Sequence, residues 1–132
     1  MAPLGIVTIV DRAGREMLSP RVDIYSYDDI YRTIGGTAER FEYWQRKYGM
    51  DSLGEGDNGE MFLPEFPVFS KIAWMFIEPV DLSRSETSSL VGECEAALAR
   101  AHDQHVLNEI GQIRDLAERA LRVCSTLRCG HP

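Results

Sequence analysis

The chain has 132 residues, the usual size of one domain, and its hydrophobic and charged fractions of 44% and 27% are ordinary for a globular protein. Its 21 acidic residues outnumber its 14 basic ones, so the formal net charge is −7. A protein with this negative charge repels the phosphate backbone of a nucleic acid unless its basic residues gather on one face. The sequence contains no basic cluster. The composition therefore excludes a disordered chain, argues against direct nucleic-acid binding and predicts a single domain over residues 1–132.

The apolar run at residues 4–10 is the only candidate for a targeting or membrane segment. It is far shorter than the roughly 20 residues of a transmembrane helix, and no basic residue precedes it as in a signal peptide. Cys94, Cys124 and Cys129 lack the spacing of a disulfide framework and are expected to be free thiols. These features predict a soluble protein of the bacterial cytoplasm that has no membrane contact.

The first half of the chain predicts a small antiparallel sheet. The β-branched run at 4–10, a turn at Asp11–Gly14 and the segment 15–18 fit a hairpin, which Pro20 interrupts before residues 22–26 alternate again. Asp28 is placed to cap a short helix that Gly35 and Gly36 end. A second helical pattern follows, with Ala38, Phe41, Trp44, Gln45 and Tyr48 near one face and Gly49 at its end.

Residues 51–60 are predicted to form an exposed acidic loop, because they contain three glycines and no basic residue. The apolar segment 68–77 fits both a helical stripe and a strand, and we favour a short buried helix.

The last third predicts two long amphipathic helices. Ser83 and Glu86 have capping-box spacing, and an apolar stripe follows with Glu93 outside it. The second helix directs its apolar side, including Cys124, inwards and directs five charged side chains to water: Glu109, Arg114, Asp115, Glu118 and Arg122. We therefore expect an α+β fold with a small N-terminal antiparallel sheet and a mainly helical remainder, ending in an antiparallel helical hairpin.

Some histidine, cysteine and acidic residues could in principle bind a metal ion, but their spacing has simpler explanations. His102 and His105, with cysteines near the end of the chain, make a zinc site arithmetically possible, but no CxxC or HExxH pair is present. The acids of 51–60 do not have the spacing of an EF-hand. We expect no metal and no cofactor.

No motif for nucleophilic catalysis or phosphate cradling is present, and no catalytic residue is assigned. The residues favour a non-catalytic role, although an active site assembled from distant residues stays open.

The features most suggestive of binding are aromatic and acidic. If Phe41, Trp44 and Tyr48 pack inwards, Tyr43 lies off their face, and tyrosine is common at interface hot spots. The acidic loop follows directly. The candidate partner-binding residues are Tyr43, Asp51, Glu55, Asp57 and Glu60.

The segments FPVFSKIAWMFIEPVDLSRSETSSLVGECEAAL and LNEIGQIRDLAERAL, in about the last half of the chain, resemble in pattern small acidic actinobacterial proteins. These include immunity-type proteins of polymorphic toxin systems. The resemblance implies a cytoplasmic protein that binds and blocks a toxin domain, and it transfers no binding residue.

The sequence thus predicts a protein-binding inhibitor or immunity-type protein whose acidic surface blocks a basic partner protein. The alternative is a small enzyme or small-molecule-binding protein with a pocket between the sheet and the helices. A homodimer formed through the helical hairpin is a third reading.

Overall fold

The computed structural model describes residues 3–36, 63–76 and 78–130, and these form an antiparallel sheet packed against helices. The expected α+β class is confirmed. The helix expected over 37–48 and the acidic loop at 51–60 lie outside the described residues. The elements in chain order are β1 (Gly5–Val10), β2 (Glu16–Ile24), α1 (Tyr27–Thr33), α2 (Pro67–Ile72) with a 3-10 turn (Ala73–Phe76), β3 (Val80–Asp81), α3 (Arg84–Arg100), α4 (Gln104–Arg122) and β4 (Thr126–Gly130).

Strands β1 and β2 form the expected hairpin. Asp11 stabilises the turn, because its carboxylate accepts hydrogen bonds from the backbone N–H groups of Ala13 and Arg15, both at 2.9 Å. The sequence suggested that Pro20 interrupts the second strand, but β2 continues through it. The register instead shifts, since Thr8 pairs with Arg21 but the next residue of β1 pairs with Met17. The intervening residues 18–20 bulge from the sheet, as insertions in one strand do.

The sheet contains two strands that the sequence analysis did not assign. Its order is β2-β1-β4-β3, so β4 lies beside β1 although the helical hairpin separates them in the chain. The hairpin is present, but β4 follows it. The N-terminal hairpin therefore occupies half of the sheet, and the C-terminal segment completes it.

One face of the sheet carries the core. Six alternating residues of β1, β2 and β4 are buried there, namely Val7, Ile9, Val22, Ile24, Leu127 and Cys129. Helix α4 packs on all three strands, and α3 packs on α4. The segment 68–76 is helical, as favoured, with α2 continuing into the 3-10 turn, and Phe69 and Ile72 of α2 are fully buried.

The helical hairpin begins and ends close to the expected residues. Ser83 and Glu86 form the reciprocal capping box, in which the Ser83 hydroxyl accepts from the Glu86 backbone N–H at 3.0 Å. The buried face of α4 comprises Val106, Ile110, Ile113, Leu116, Ala117 and Ala120. Within the described residues, no helix combines the length and the apolar character needed to cross a membrane.

Helices α1 and α4 end in the same hydrogen-bonded motif. At the end of α1, the N–H groups of Gly36 and Gly35 donate to the carbonyl groups of Tyr31 and Arg32, at 2.9 and 3.2 Å. Gly35 has a φ of 109°, which glycine adopts without a side-chain clash. At the end of α4 the equivalent position is Cys124, with a φ of 56°. This turn directs Cys124 to solvent and corrects its expected place on the apolar side.

Two glutamates expected to face water are buried instead. Glu93 accepts hydrogen bonds from the backbone N–H groups of Val68 and Phe69, both at 3.0 Å, in the first turn of α2. Glu109 accepts from the N–H groups of Tyr25 and Ser26, at 3.0 and 3.2 Å, just before α1. Each long helix thus supplies an acceptor to donors at the start of a short helix, which lacks its own side-chain cap. Asp28, expected to cap α1, lies instead within its first turn, and Ser26 occupies the N-cap position.

Candidate functional site

The residues assigned to partner binding from the sequence, Tyr43, Asp51, Glu55, Asp57 and Glu60, lie outside the described residues. The neighbouring Glu65 is described and forms an ion pair with Arg100, with 2.7 Å between the carboxylate oxygen and the guanidinium nitrogen. The same guanidinium lies 5.0 Å from the centre of the Phe66 ring. Arg100 therefore balances the charge of Glu65, and the acidic character of this region depends on residues 51–60.

A groove of about 380 Å³ lies between β2 and the C-terminal half of α4. Its volume is within the usual range of ligand pockets. On the strand side it is lined by the end of the bulge and the residues after it, and on the helix side by a ridge of residues three or four apart. The lining residues are Pro20, Arg21, Val22, Gln112, Asp115, Leu116, Arg119 and Arg122.

The groove collects positive charge in an acidic protein. Arg21 is 3.2 Å from Asp23, and Asp115 is 3.3 Å from Arg114, so these two lining charges have partners. Arg119 and Arg122 form no ion pair with any described residue. The groove can therefore offer two guanidinium groups to an anion.

The sequence analysis missed this groove because its arginines come from distant parts of the chain. Arg122 was expected only to face water, and Arg21 stands alone in the sequence. The 3.6-residue period does place Leu116, Arg119 and Arg122 near one another on α4. Only the packing of α4 on β2 brings Arg21 to the same groove.

Residues 3–36, 63–76 and 78–130 contain no group of three or more His, Cys, Asp or Glu side chains that could hold a metal ion. His105, one of the two histidines weighed for zinc, instead contacts Asp29 with 2.8 Å between Nε2 and Oδ2. This contact ties the start of α4 to α1.

The His105–Asp29 contact predicts a pH-dependent stability. The hydrogen bond from His105 lowers the pKa of Asp29, and the hydrogen bond to Asp29, with the charges of Asp103 and Glu109, raises the pKa of His105. A histidine with a raised pKa stabilises the fold fully below its unfolded pKa, about 6.5, and loses that contribution as the pH rises through its folded pKa. We expect the thermal midpoint to fall slightly between about pH 6 and about pH 8.

The measurement is thermal unfolding followed by circular dichroism at each pH. His105→Gln should flatten the change between the two pH values, whereas His102→Gln, at another exposed histidine, should leave it as in the wild type. Equal profiles for the His105 variant and the wild type would contradict the assignment to this ion pair.

The three cysteines are free thiols, as expected, but differ in environment. Burial raises the pKa of Cys94, and it raises the pKa of Cys129 to about 12. Cys124 is exposed. Arg12 lowers the pKa of its thiol through a hydrogen bond and through its positive charge, and Arg84 contributes to the same shift. Cys124 is therefore the thiol with the greatest thiolate character.

Comparison with protein-family models, with curated proteins and with solved structures finds no match to this chain. Its function is therefore inferred from its own residues.

Proposed function

We propose that this chain is a non-catalytic protein-binding inhibitor, of the immunity type, that blocks a basic partner protein. The observation that carries the proposal is the distribution of acidic residues. The net charge is −7, and residues 51–65 contain five acids and no base. Since Arg100 balances Glu65, the other four acids supply the surplus charge of this segment.

The proposed mechanism is steric and electrostatic. A negative surface attracts a basic partner over long range, which raises the association rate more than it strengthens the final complex. Once bound, the inhibitor occupies the partner's basic surface and keeps other ligands from it. We propose that this takes place in the cytoplasm, because free thiols such as the buried Cys94 and Cys129 suit a reducing compartment.

The acidic segment is the proposed contact, with Asp51, Glu55, Asp57 and Glu60 as charged contributors and Tyr43 as an aromatic one. The four acids are dense in sequence, and a charged, glycine-rich segment is well suited to lie at a surface. Tyrosine adds a large contact area and a hydrogen-bonding hydroxyl, which interfaces favour.

Affinity capture with the intact chain, followed by mass spectrometry, should identify a basic protein partner. With that purified partner, Asp57→Lys combined with Glu60→Lys should slow association on the order of tenfold at low salt, because steering depends on these charges. The dissociation rate should change less. Stopped-flow or surface-based kinetics between about 0.02 and 0.5 M salt would measure both rates.

The matched control reverses two exposed or half-exposed acids on the long helices, Glu95→Lys with Glu118→Lys, and changes the net charge by the same amount. It should slow association less than the loop variant does. A neutral or acidic partner would contradict the proposal, as would an association rate that is the same at low and high salt.

The second candidate function is that of a small-molecule-binding protein or small enzyme with its pocket between sheet and helices. The groove between β2 and α4 favours it, because it has the expected location and the volume of a ligand site. Its positive lining requires a different ligand from that of the acidic segment, so the two functions can be tested separately.

A further inference from the structure

We propose that the groove between β2 and α4 binds a phosphate monoester that carries a small apolar group. This inference deepens the second candidate function and is independent of the acidic segment. The groove is lined by three arginines, by three apolar residues, and by Gln112 and an aspartate that is paired with Arg114; these are Arg21, Arg119, Arg122, Pro20, Val22, Leu116 and Asp115.

The charge of the groove selects a dianion. Arg119 and Arg122 have no ion pair among the described residues. The other two charged lining residues, Arg21 and Asp115, are paired with Asp23 and Arg114. Two free guanidinium groups match a phosphate monoester, whose charge near neutral pH is roughly −1.5 to −2. A carboxylate carries about one negative charge and would leave one guanidinium without compensation.

The chemistry of arginine strengthens this assignment. A guanidinium group has several N–H donors in a fixed planar fork that fits the oxygens of a phosphate. Arg119 and Arg122 are three residues apart on α4, so their side chains project along the same side of the helix. A phosphate between them can accept hydrogen bonds from both.

The apolar part of the lining accounts for the organic group of the ligand. Val22 and Leu116 are almost fully buried beneath the groove, and Pro20 lies at the bulge that forms one wall. Of these three, Pro20 is only partly buried, so a ligand that carries a small ring or alkyl group would gain mainly from covering Pro20 and removing it from water.

The position of the arginines has a simpler explanation that accounts for only part of the site. Basic residues in the last turn of a helix interact favourably with its C-terminal carbonyl groups, as Arg119 and Arg122 can in α4. That effect does not require Arg21, which the sheet brings to the same groove from β2. It also does not require the concave apolar surface between the two elements.

The test uses phenyl phosphate as the probe, with phenol and inorganic phosphate as its two halves. Titration into the ¹⁵N-labelled full chain, followed by NMR, should shift the amide signals of residues 21–22 and 112–122. Phenyl phosphate should bind at least about tenfold more tightly than either half, because it uses both the charged and the apolar lining. Equal affinity for the three probes, or shifts outside the groove, would overturn the proposal.

Variants of the chain separate charge from fold. Arg119→Gln with Arg122→Gln should weaken phenyl phosphate binding about tenfold or more, and the same two residues changed to Lys should retain part of the affinity. Arg15→Gln with Arg84→Gln removes the same charge elsewhere and should bind as the wild type does. Wild-type affinity in the Arg119/Arg122 glutamine variant, with an unchanged NMR spectrum in its free state, would overturn the site.

Two further binding measurements complete the test. One distinguishes a phosphoprotein from a small phosphorylated molecule, and the other separates the groove from the proposed partner-binding segment. A short acetylated and amidated peptide of alanine, phosphoserine and alanine presents the same group on a protein chain. Tighter binding of this peptide than of phenyl phosphate would support the site with a phosphoprotein as its source, and weaker binding would support a small molecule. The Asp57→Lys, Glu60→Lys variant should bind phenyl phosphate as tightly as the wild type, even if the charge-reversal test of partner binding fails.

Discussion

Glu93→Ala is expected to lower the free energy of unfolding by about 2–4 kcal/mol, the largest effect we predict for a single polar side chain. The Glu93 carboxylate is buried and accepts one hydrogen bond with each oxygen, from the N–H groups of Val68 and Phe69. Alanine leaves both donors without their acceptor in a place that water scarcely reaches. A buried donor without a partner costs roughly 1–3 kcal/mol.

Glu93→Gln should cost less than Glu93→Ala, because the amide keeps one acceptor oxygen for one of the two donors. Burial raises the pKa of Glu93, although its two backbone hydrogen bonds oppose that shift. Burial therefore disfavours the charged form of Glu93. A neutral amide avoids that penalty, which limits the loss of folding free energy in Glu93→Gln.

Urea unfolding followed by circular dichroism would measure these differences, with Glu95→Ala as the matched control. Glu95 lies two residues further along α3 and is exposed, so its replacement should change stability by no more than about 0.5 kcal/mol. A cost for Glu93→Ala as small as that for Glu95→Ala would show that the buried carboxylate does not hold α2.

Gly36→Ala is the second change expected to have a large effect, a loss of about 1–3 kcal/mol. A Cβ atom on Gly36 would lie 2.1 Å from a carbon of the Tyr31 ring. That ring is fully buried, and the Gly36 N–H group donates to the Tyr31 carbonyl, so ring and backbone are held together. The methyl group can be accommodated only if the aromatic ring or the end of α1 shifts.

Gly92→Ala and Gly111→Ala provide opposite controls in the same unfolding experiment. Both glycines lie inside long helices, and apart from adjacent residues and the nearby backbone of its own helix, a Cβ atom at either would meet no described atom within 4 Å. Each substitution should stabilise the protein by about 0.5–1 kcal/mol, because alanine loses less backbone entropy in a helix. A neutral or stabilising Gly36→Ala would contradict the packing assigned to Tyr31.

The sequence by itself determined those elements whose signals are local. The capping box of Ser83 and Glu86 and the apolar stripes after it predicted both long helices, because helix hydrogen bonds and side-chain faces repeat within a few residues. Asp11 and Gly14 predicted the first hairpin, and Gly35 and Gly36 predicted the end of α1, for the same reason.

Features that join distant residues were decided only by the tertiary structure. Strand β4 exists as a strand because it pairs with β1 and β3, and its five residues carry too short a pattern to show this. Periodicity placed Glu93 and Glu109 towards water, because it cannot register the unsatisfied N–H groups of another segment that draw these carboxylates inwards. The groove likewise depends on α4 packing against β2, which brings Arg21 to Arg119 and Arg122. Contacts of this kind depend on the relative placement of whole elements, and a local sequence pattern contains no record of that placement.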